Sequence, residues 1–121
     1  MSPEMTDVLI VEDENQLAAL HAEMVKQHPH LRLVGMAATL ADAERQIREK
    51  RPHLVLLDNY LPDGKGITLT ESLTLKNSAC SVIFITAASD MDTCSQAIRN
   101  GAFDYLLKPV VPDELNEAIR R

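Results

Sequence analysis

A chain of 121 residues amounts to one domain, and folding at this size buries roughly two-thirds of the unfolded chain's surface, enough for an independent core. Hydrophobic residues make up 45% and charged residues 25%, ordinary for a globular protein, while a net charge of -6 excludes this segment as a grip on nucleic-acid backbones, which needs clustered Lys and Arg. No apolar stretch approaches the roughly 18 residues of a membrane span, the N-terminus has no signal-peptide core, and Cys80 and Cys94 lack metal or CxxC spacing, so reduced thiols and a cytosolic location are expected.

The first apolar run, Val8-Leu9-Ile10-Val11, leads into Glu12-Asp13. Leu17, Leu20 and Met24 then recur at i, i+3 and i+7, which predicts a first helix with those residues as its stripe. His28 and His30 flank Pro29 in a predicted loop and lack further ligands for a metal; His21 and His53 have no partner at metal spacing either. Leu31-Arg32-Leu33-Val34 alternates, as an edge strand does. Thr39 with Asp42 resembles a capping box opening a second helix striped by Leu40, Ala43 and Ile47.

The next run, Leu54-Val55-Leu56-Leu57, ends on Asp58. Asp63-Gly64 is turn chemistry, and Gly66 permits the chain to turn into a third helix. From Ile67 to Leu75 the apolar residues alternate like a strand, but parallel strands need a crossover between them, so a helix is expected. Val82-Ile83-Phe84-Ile85 ends on Thr86, and Met91, Cys94 and Ile98 stripe a fourth helix that Asp90 could cap. Tyr105-Leu106-Leu107 ends on Lys108, and Pro112 suits the first turn of a last helix carrying Leu115, Ala118 and Ile119, its acidic residues forming a solvated face. The expectation is an α/β fold of five β/α units in one doubly wound sheet. Its four aromatics (Tyr60, Phe84, Phe103, Tyr105) leave the core to aliphatic residues and Met.

Four apolar runs thus end on residues capable of ionic chemistry. In an open parallel sheet ligands bind beyond the carboxyl ends of the strands, so these side chains are expected to converge. Glu12, Asp13 and Asp58 offer three carboxylates, Thr86 a hydroxyl and Lys108 an ammonium, a set suited to a divalent cation and a phosphoryl group. Three carboxylates so close would raise one another's pKa unless a cation sat among them, and Mg²⁺, with its preference for hard oxygen ligands, fits.

This ordered set, an acidic pair, then Asp, Thr and Lys-Pro after successive strands, resembles the receiver domain of bacterial two-component response regulators over essentially the whole length, residues 1–121. The stretches Asp58-Asn59-Tyr60-Leu61-Pro62-Asp63-Gly64 and Thr86-Ala87-Ala88-Ser89-Asp90 further resemble the subgroup that responds to citrate and C4-dicarboxylates. The resemblance implies a flavodoxin-like (βα)5 fold with a five-stranded parallel sheet in the order 2-1-3-4-5. It implies Asp58 as the phosphoacceptor, and Mg²⁺ held by Asp13, Asp58 and the backbone carbonyl of Tyr60, with Glu12 reached partly through water. Lys108 would contact a phosphoryl oxygen, aimed by a cis bond to Pro109. Thr86 and Tyr105 would form the switch, Tyr105 repacking as Thr86 shifts.

By the same resemblance, Tyr60 and Ala88 stand two residues beyond Asp58 and Thr86, where the family places side chains that flank water's approach to the phosphorus. A phenol and a methyl there would shield the phosphoryl group and slow its loss. The implied partners are a sensor histidine kinase and a second copy upon phosphorylation, with DNA reached only through a C-terminal output domain absent from this chain, and no membrane. The chain stops mid-helix at Arg120-Arg121, as an excised domain would. It would be no enzyme beyond its own phosphorylation and dephosphorylation. Two alternatives stand beside this reading: an aspartyl-nucleophile phosphatase or phosphotransferase of the haloacid-dehalogenase type, and a receiver-like scaffold that is not phosphorylated. The first requires an Asp two positions after its nucleophile, where this chain has Tyr60; the second is separated by Mg²⁺ and beryllium fluoride binding.

Overall fold

Unbroken apolar runs suit strands covered on both faces, because a parallel sheet is sandwiched by its own crossover helices. A computed structural model describes residues 5–70, 80–87, 99, 104–108 and 110–120 of the chain. In chain order the elements are β1 (Thr6–Val11), α1 (Asn15–Gln27), β2 (Leu31–Ala37), α2 (Leu40–Lys50), β3 (Leu54–Asp58), β4 (Tyr60–Leu61), β5 (Gly64–Lys65), α3 (Ile67–Thr70), β6 (Ser81–Thr86), β7 (Asp104–Leu107) and a last helix, Pro112–Arg120. Five strands form one sheet ordered β2-β1-β3-β6-β7, with every neighbouring pair parallel. Counting only these five strands, this is the expected order 2-1-3-4-5.

Side-chain alternation divides the core in two. Leu9, Val11, Val55, Leu57, Val82 and Phe84 pack with Ala43 and Ile47 of α2 and with Ile67 and Leu69 of α3. Val8, Ile10, Leu54, Leu56, Ile83 and Ile85 pack with Ala22 and Val25 of α1 and with Leu115 and Ala118 of the last helix. Phe84 and Ile47 are fully buried, so truncating either to Ala would cost about 2–5 kcal/mol. β2 is the edge strand expected from its alternation. Its Val34 and Met36 carbonyls accept hydrogen bonds from Lys50 Nζ (3.0 Å) and Gln46 Nε2 (2.8 Å) of α2.

Local signals hold at several termini. Thr39 caps α2, its Oγ1 accepting from the Asp42 amide at 3.1 Å. That helix ends on Arg51 in the left-handed region (φ 46°), and Pro52 follows, a residue that disfavours helical backbone before it. Pro112 opens the last helix as expected.

The stripe of α1 differs from the sequence expectation. Leu20 is 47% exposed and Leu17 only half-buried, whereas Ala18, His21, Ala22, Met24 and Val25 are buried. The 3.6-residue period fixes that a stripe exists, while the close approach of helix to sheet selects the side carrying small residues. The third helix begins as expected over Ile67–Thr70. Leu73, Leu75, Ala88, Asp90, the stripe of the fourth helix and Pro109, hence its cis bond, lie outside the described residues. The antiparallel ribbon β4–β5 is an element that the sequence reading did not contain.

Candidate functional site

Strand register assembles the site. Val11 pairs with Leu57, so Glu12 and Asp58 leave adjacent strands side by side. Asp58 in turn lies opposite Ile85 on β6, one residue before Thr86, and Thr86 lies opposite Leu107 on β7, one residue before Lys108. The Lys108 amide donates to the Thr86 carbonyl at 2.8 Å, which ties the lysine's backbone to the neighbouring strand end. All four strand ends therefore meet at one rim of the sheet, the carboxyl edge at which open α/β folds bind their ligands.

The side chains meet as well. One ligand oxygen from each of Glu12, Asp13 and Asp58 lies within 4.8 Å of the others. Lys108 Nζ is 2.7 Å from Asp58 Oδ1 and 3.8 Å from Glu12 Oε1. Glu12 and Asp58 are each only 5% exposed, while Asp13 faces solvent. Thr86 is buried at the same rim, with Oγ1 placed 3.4 Å from the Ala87 carbonyl that it can donate to. Tyr105 is half-buried opposite Phe84 and packs against the core layer of α2 and α3, the layer whose strand residues share the phase of Thr86. Tyr60, on β4 two residues beyond Asp58, exposes 53% of its surface.

One ammonium among three carboxylates leaves the rim strongly anionic. Burial pushes the Glu12 carboxyl up to about 7, and the Asp58 and Asp13 charges push the same way, against the Glu14 amide and the Lys108 ammonium. That amide donates to Glu12 Oε2 at 3.2 Å, but the buried Oε1 has no hydrogen-bond partner among the described residues. Burial alone would depress the Lys108 pKa; its hydrogen bond to Asp58 and the charges of Asp58, Glu12 and Asp13 outweigh that and hold it above the ordinary lysine range. Lys108 is thus a fixed cation. A buried carboxylate oxygen without a hydrogen bond, within reach of two further carboxylates, is a donor set that fits a hard divalent cation such as Mg²⁺.

Two glycines shape the segment after Asp58. A Cβ at Gly66 would lie 2.1 Å from the Asp58 carbonyl oxygen, and the Gly66 amide donates to the Asn59 carbonyl, so the chain crosses back directly against the backbone of Asp58. Gly64, the first residue of β5, sits at φ 147°, a conformation open to glycine, directly after the turn from β4. Gly66 thus serves a close approach as well as the expected entry to α3, whose Leu69 amide donates to its carbonyl at 2.9 Å. The sequence reading also missed His21, which is buried, with burial and the Lys108 ammonium lowering its pKa against an opposing effect of Asp58. His53 Nδ1 accepts from the Asp7 amide at 2.9 Å, and the His28 and His30 rings contact each other edge to face.

The family model of the response regulator receiver domain matches residues 8–120. The chain is 46% identical over 114 residues to the transcriptional regulatory protein DpiA of Escherichia coli (strain K12), covering 94% of this chain and 50% of that protein. It is 45% identical over 113 residues to the transcriptional regulatory protein CitB of Klebsiella pneumoniae, covering 93% and 48%. The chain therefore spans about half the length of these curated relatives. Its fold is similar to the crystal structure of a DNA-binding response regulator of the LuxR family from Staphylococcus aureus, with a TM-score of 0.87 and 27% identity over 96% of this chain and 97% of that one.

Proposed function

Because this chain belongs to the response regulator receiver domain family, we propose that it is the phosphorylation-operated switch of a two-component system, with Asp58 as the phosphoacceptor. The observation that carries the proposal is the Lys108 ammonium held 2.7 Å from Asp58 beside two further carboxylates at the strand ends. Asp13, Asp58 and the Tyr60 carbonyl would hold Mg²⁺, with Glu12 assisting partly through water. When bound, the cation neutralises charge on the carboxylates and on the phosphoryl oxygens.

Asp58 supplies the nucleophile. One of its carboxylate oxygens forms the bond to phosphorus while the bond from phosphorus to the donor's imidazole nitrogen breaks; the electron pair returns to a ring protonated on its other nitrogen, leaving a neutral imidazole on the kinase and an acyl phosphate on Asp58. Lys108, already positioned, shifts from the carboxylate to a phosphoryl oxygen. Thr86 turns its hydroxyl toward the same group, and Tyr105 repacks into the space this vacates. The energy of the switch is the preference of the phosphoryl group for the arrangement in which Thr86 and Lys108 both contact it. Tyr60, exposed beside the acceptor strand, and Ala88 shield the acyl phosphate from water.

The donor is a sensor histidine kinase, the remodelled surface governs pairing with a second copy, and the output is transcription through a DNA-binding domain outside this chain. Support for that output comes from the relatives, which are transcriptional regulatory proteins of about twice this length. The stretches after Asp58 and Thr86 support the citrate and C4-dicarboxylate subgroup. Among the described residues no helix is long and apolar enough to cross a membrane, in keeping with action in the cytoplasm. The protein would turn over no free phosphoester. The test is labelling with acetyl phosphate and Mg²⁺: the parent takes up one acid-labile group and Asp58→Asn takes up none. Stoichiometric labelling of Asp58→Asn on another residue type would overturn the assignment.

A further inference from the structure

Asn59 follows Asp58 directly and is 1% exposed, yet neither Nδ2 nor Oδ1 of its carboxamide has a hydrogen-bond partner among the described residues. Buried amides are nearly always paired, because an unpaired one gives up its hydration without compensation, so such a group calls for a reason. Its backbone is fixed: the Asn59 carbonyl accepts from the Gly66 amide, and a Cβ on Gly66 would lie 3.2 Å from the Asn59 Cα. The unpaired carboxamide is therefore held at one place, in the segment that the Gly66 crossing pins against Asp58.

Register identifies its neighbour. Asp58 pairs with Ile85 and Leu57 with Phe84, so Asn59, just past β3, and Thr86, the last residue of β6, each follow that pair by one position on adjacent parallel strands. Side chains alternate along a strand, which puts both residues on the side of Leu57 and Phe84, and neighbouring strands lie about 4.8 Å apart, within the reach of an asparagine side chain. Thr86 is as buried as Asn59, and its hydroxyl is loosely held: Oγ1 stands 3.4 Å from the Ala87 carbonyl, beyond the usual range for a hydroxyl donor. A hydroxyl donates one hydrogen bond and accepts two, so Thr86 can donate to one group while accepting from another.

We propose that Asn59 is a positioning residue for phosphoryl recognition: its Nδ2 donates to Thr86 Oγ1 once that hydroxyl has turned to donate to a phosphoryl oxygen on Asp58. The inference rests on the functional reading given above. In the described arrangement the Asn59 carboxamide makes no hydrogen bond. Turning toward Asp58 carries the Thr86 hydroxyl from β6 toward β3, the strand that Asn59 continues. The carboxamide, unpaired before the phosphoryl group arrives and paired after it, favours the second arrangement and keeps Thr86 in it.

Binding of beryllium fluoride, which stands in for the phosphoryl group on a carboxylate, tests this at saturating Mg²⁺ on the parent, Asn59→Leu, Thr86→Ala and the double variant. Leu keeps the outline of Asn without its donor and acceptor. The expected result is a Kd for beryllium fluoride raised about 3- to 10-fold by Asn59→Leu in the parent background, the worth of one hydrogen bond, and by less than about twofold in the Thr86→Ala background. An unchanged Kd in Asn59→Leu would overturn the proposal. So would an equal rise in both backgrounds, which is the result of a merely structural disturbance or of direct contact between Asn59 and the phosphoryl group. If Asn59→Leu does not fold, Asn59→Ala in the same two backgrounds decides. A parent that neither binds beryllium fluoride nor is labelled at Asp58 by acetyl phosphate removes the switch reading together with the inference, whereas a parent that does both, with Asn59→Leu unchanged, removes the inference alone.

Discussion

His21 shows how a single buried group reports the electrostatics of the site. It is 3% exposed, and its Nδ1 has no hydrogen-bond partner among the described residues. Burial favours the neutral ring, the Lys108 ammonium adds to that preference, and Asp58 opposes it, so the folded-state pKa lies below the ordinary value of 6.5. Below pH 6.5 the unfolded chain takes up a proton at this position that the folded chain does not, and stability must fall as the pH falls. Above that pH the residue contributes no slope. The limit is about 1.4 kcal/mol per pH unit. Urea unfolding of His21→Leu between pH 7 and pH 5 should show a shallower acid decline than the parent; parallel declines would mean that the imidazole is not the source.

At the scale of elements, the segment between Asp58 and α3 is the one in which backbone geometry sets the chemistry. Gly66→Ala would place a methyl 2.1 Å from the Asp58 carbonyl oxygen, against backbone rather than a flexible side chain. The expected cost is about 1–3 kcal/mol in chemical denaturation, accompanied by slower labelling of Asp58, since relief of the clash moves the acceptor strand's end. A variant that is as stable and as quickly labelled as the parent would refute the close approach.

Neither the crossing at Gly66 nor the contact of Asp63 with α2 was legible in the sequence. Two-residue strands have no periodicity to read, and the Asp63 carboxylate accepts from the Leu40 and Ala41 amides, more than twenty positions away. The stripe of α1 was legible only as a period: Leu17 and Leu20 resemble core residues, but Ala18 and Ala22 let the helix lie close to the sheet. By contrast the buried stretches of β1, β3 and β6, residues 8–11, 54–57 and 82–85, were legible, because burial on both faces demands unbroken apolar runs, while their polar end residues were not. For the same reason Glu12, Asp58, Thr86 and Lys108 stood out, each being the first polar residue after such a run.

Over the whole molecule, the sheet order turns four sequence-distant strand ends into one anionic rim backed by two separate core layers. The rim joins the two layers: Glu12 and Asp58 continue the strand phase that packs on α1 and the last helix, while Thr86 and Tyr105 belong to the phase that faces α2 and α3. A charge added at Asp58 would therefore be felt on both faces of the sheet, which is what a switch governing an external surface needs. The most direct test of this account is to treat the protein with acetyl phosphate, with Mg²⁺ or with excess chelator, and to locate the phosphoryl group by peptide mass spectrometry. The account predicts modification of Asp58 alone, present with Mg²⁺ and lost with chelator; modification that is indifferent to the cation, or that lies on any other residue, would contradict it.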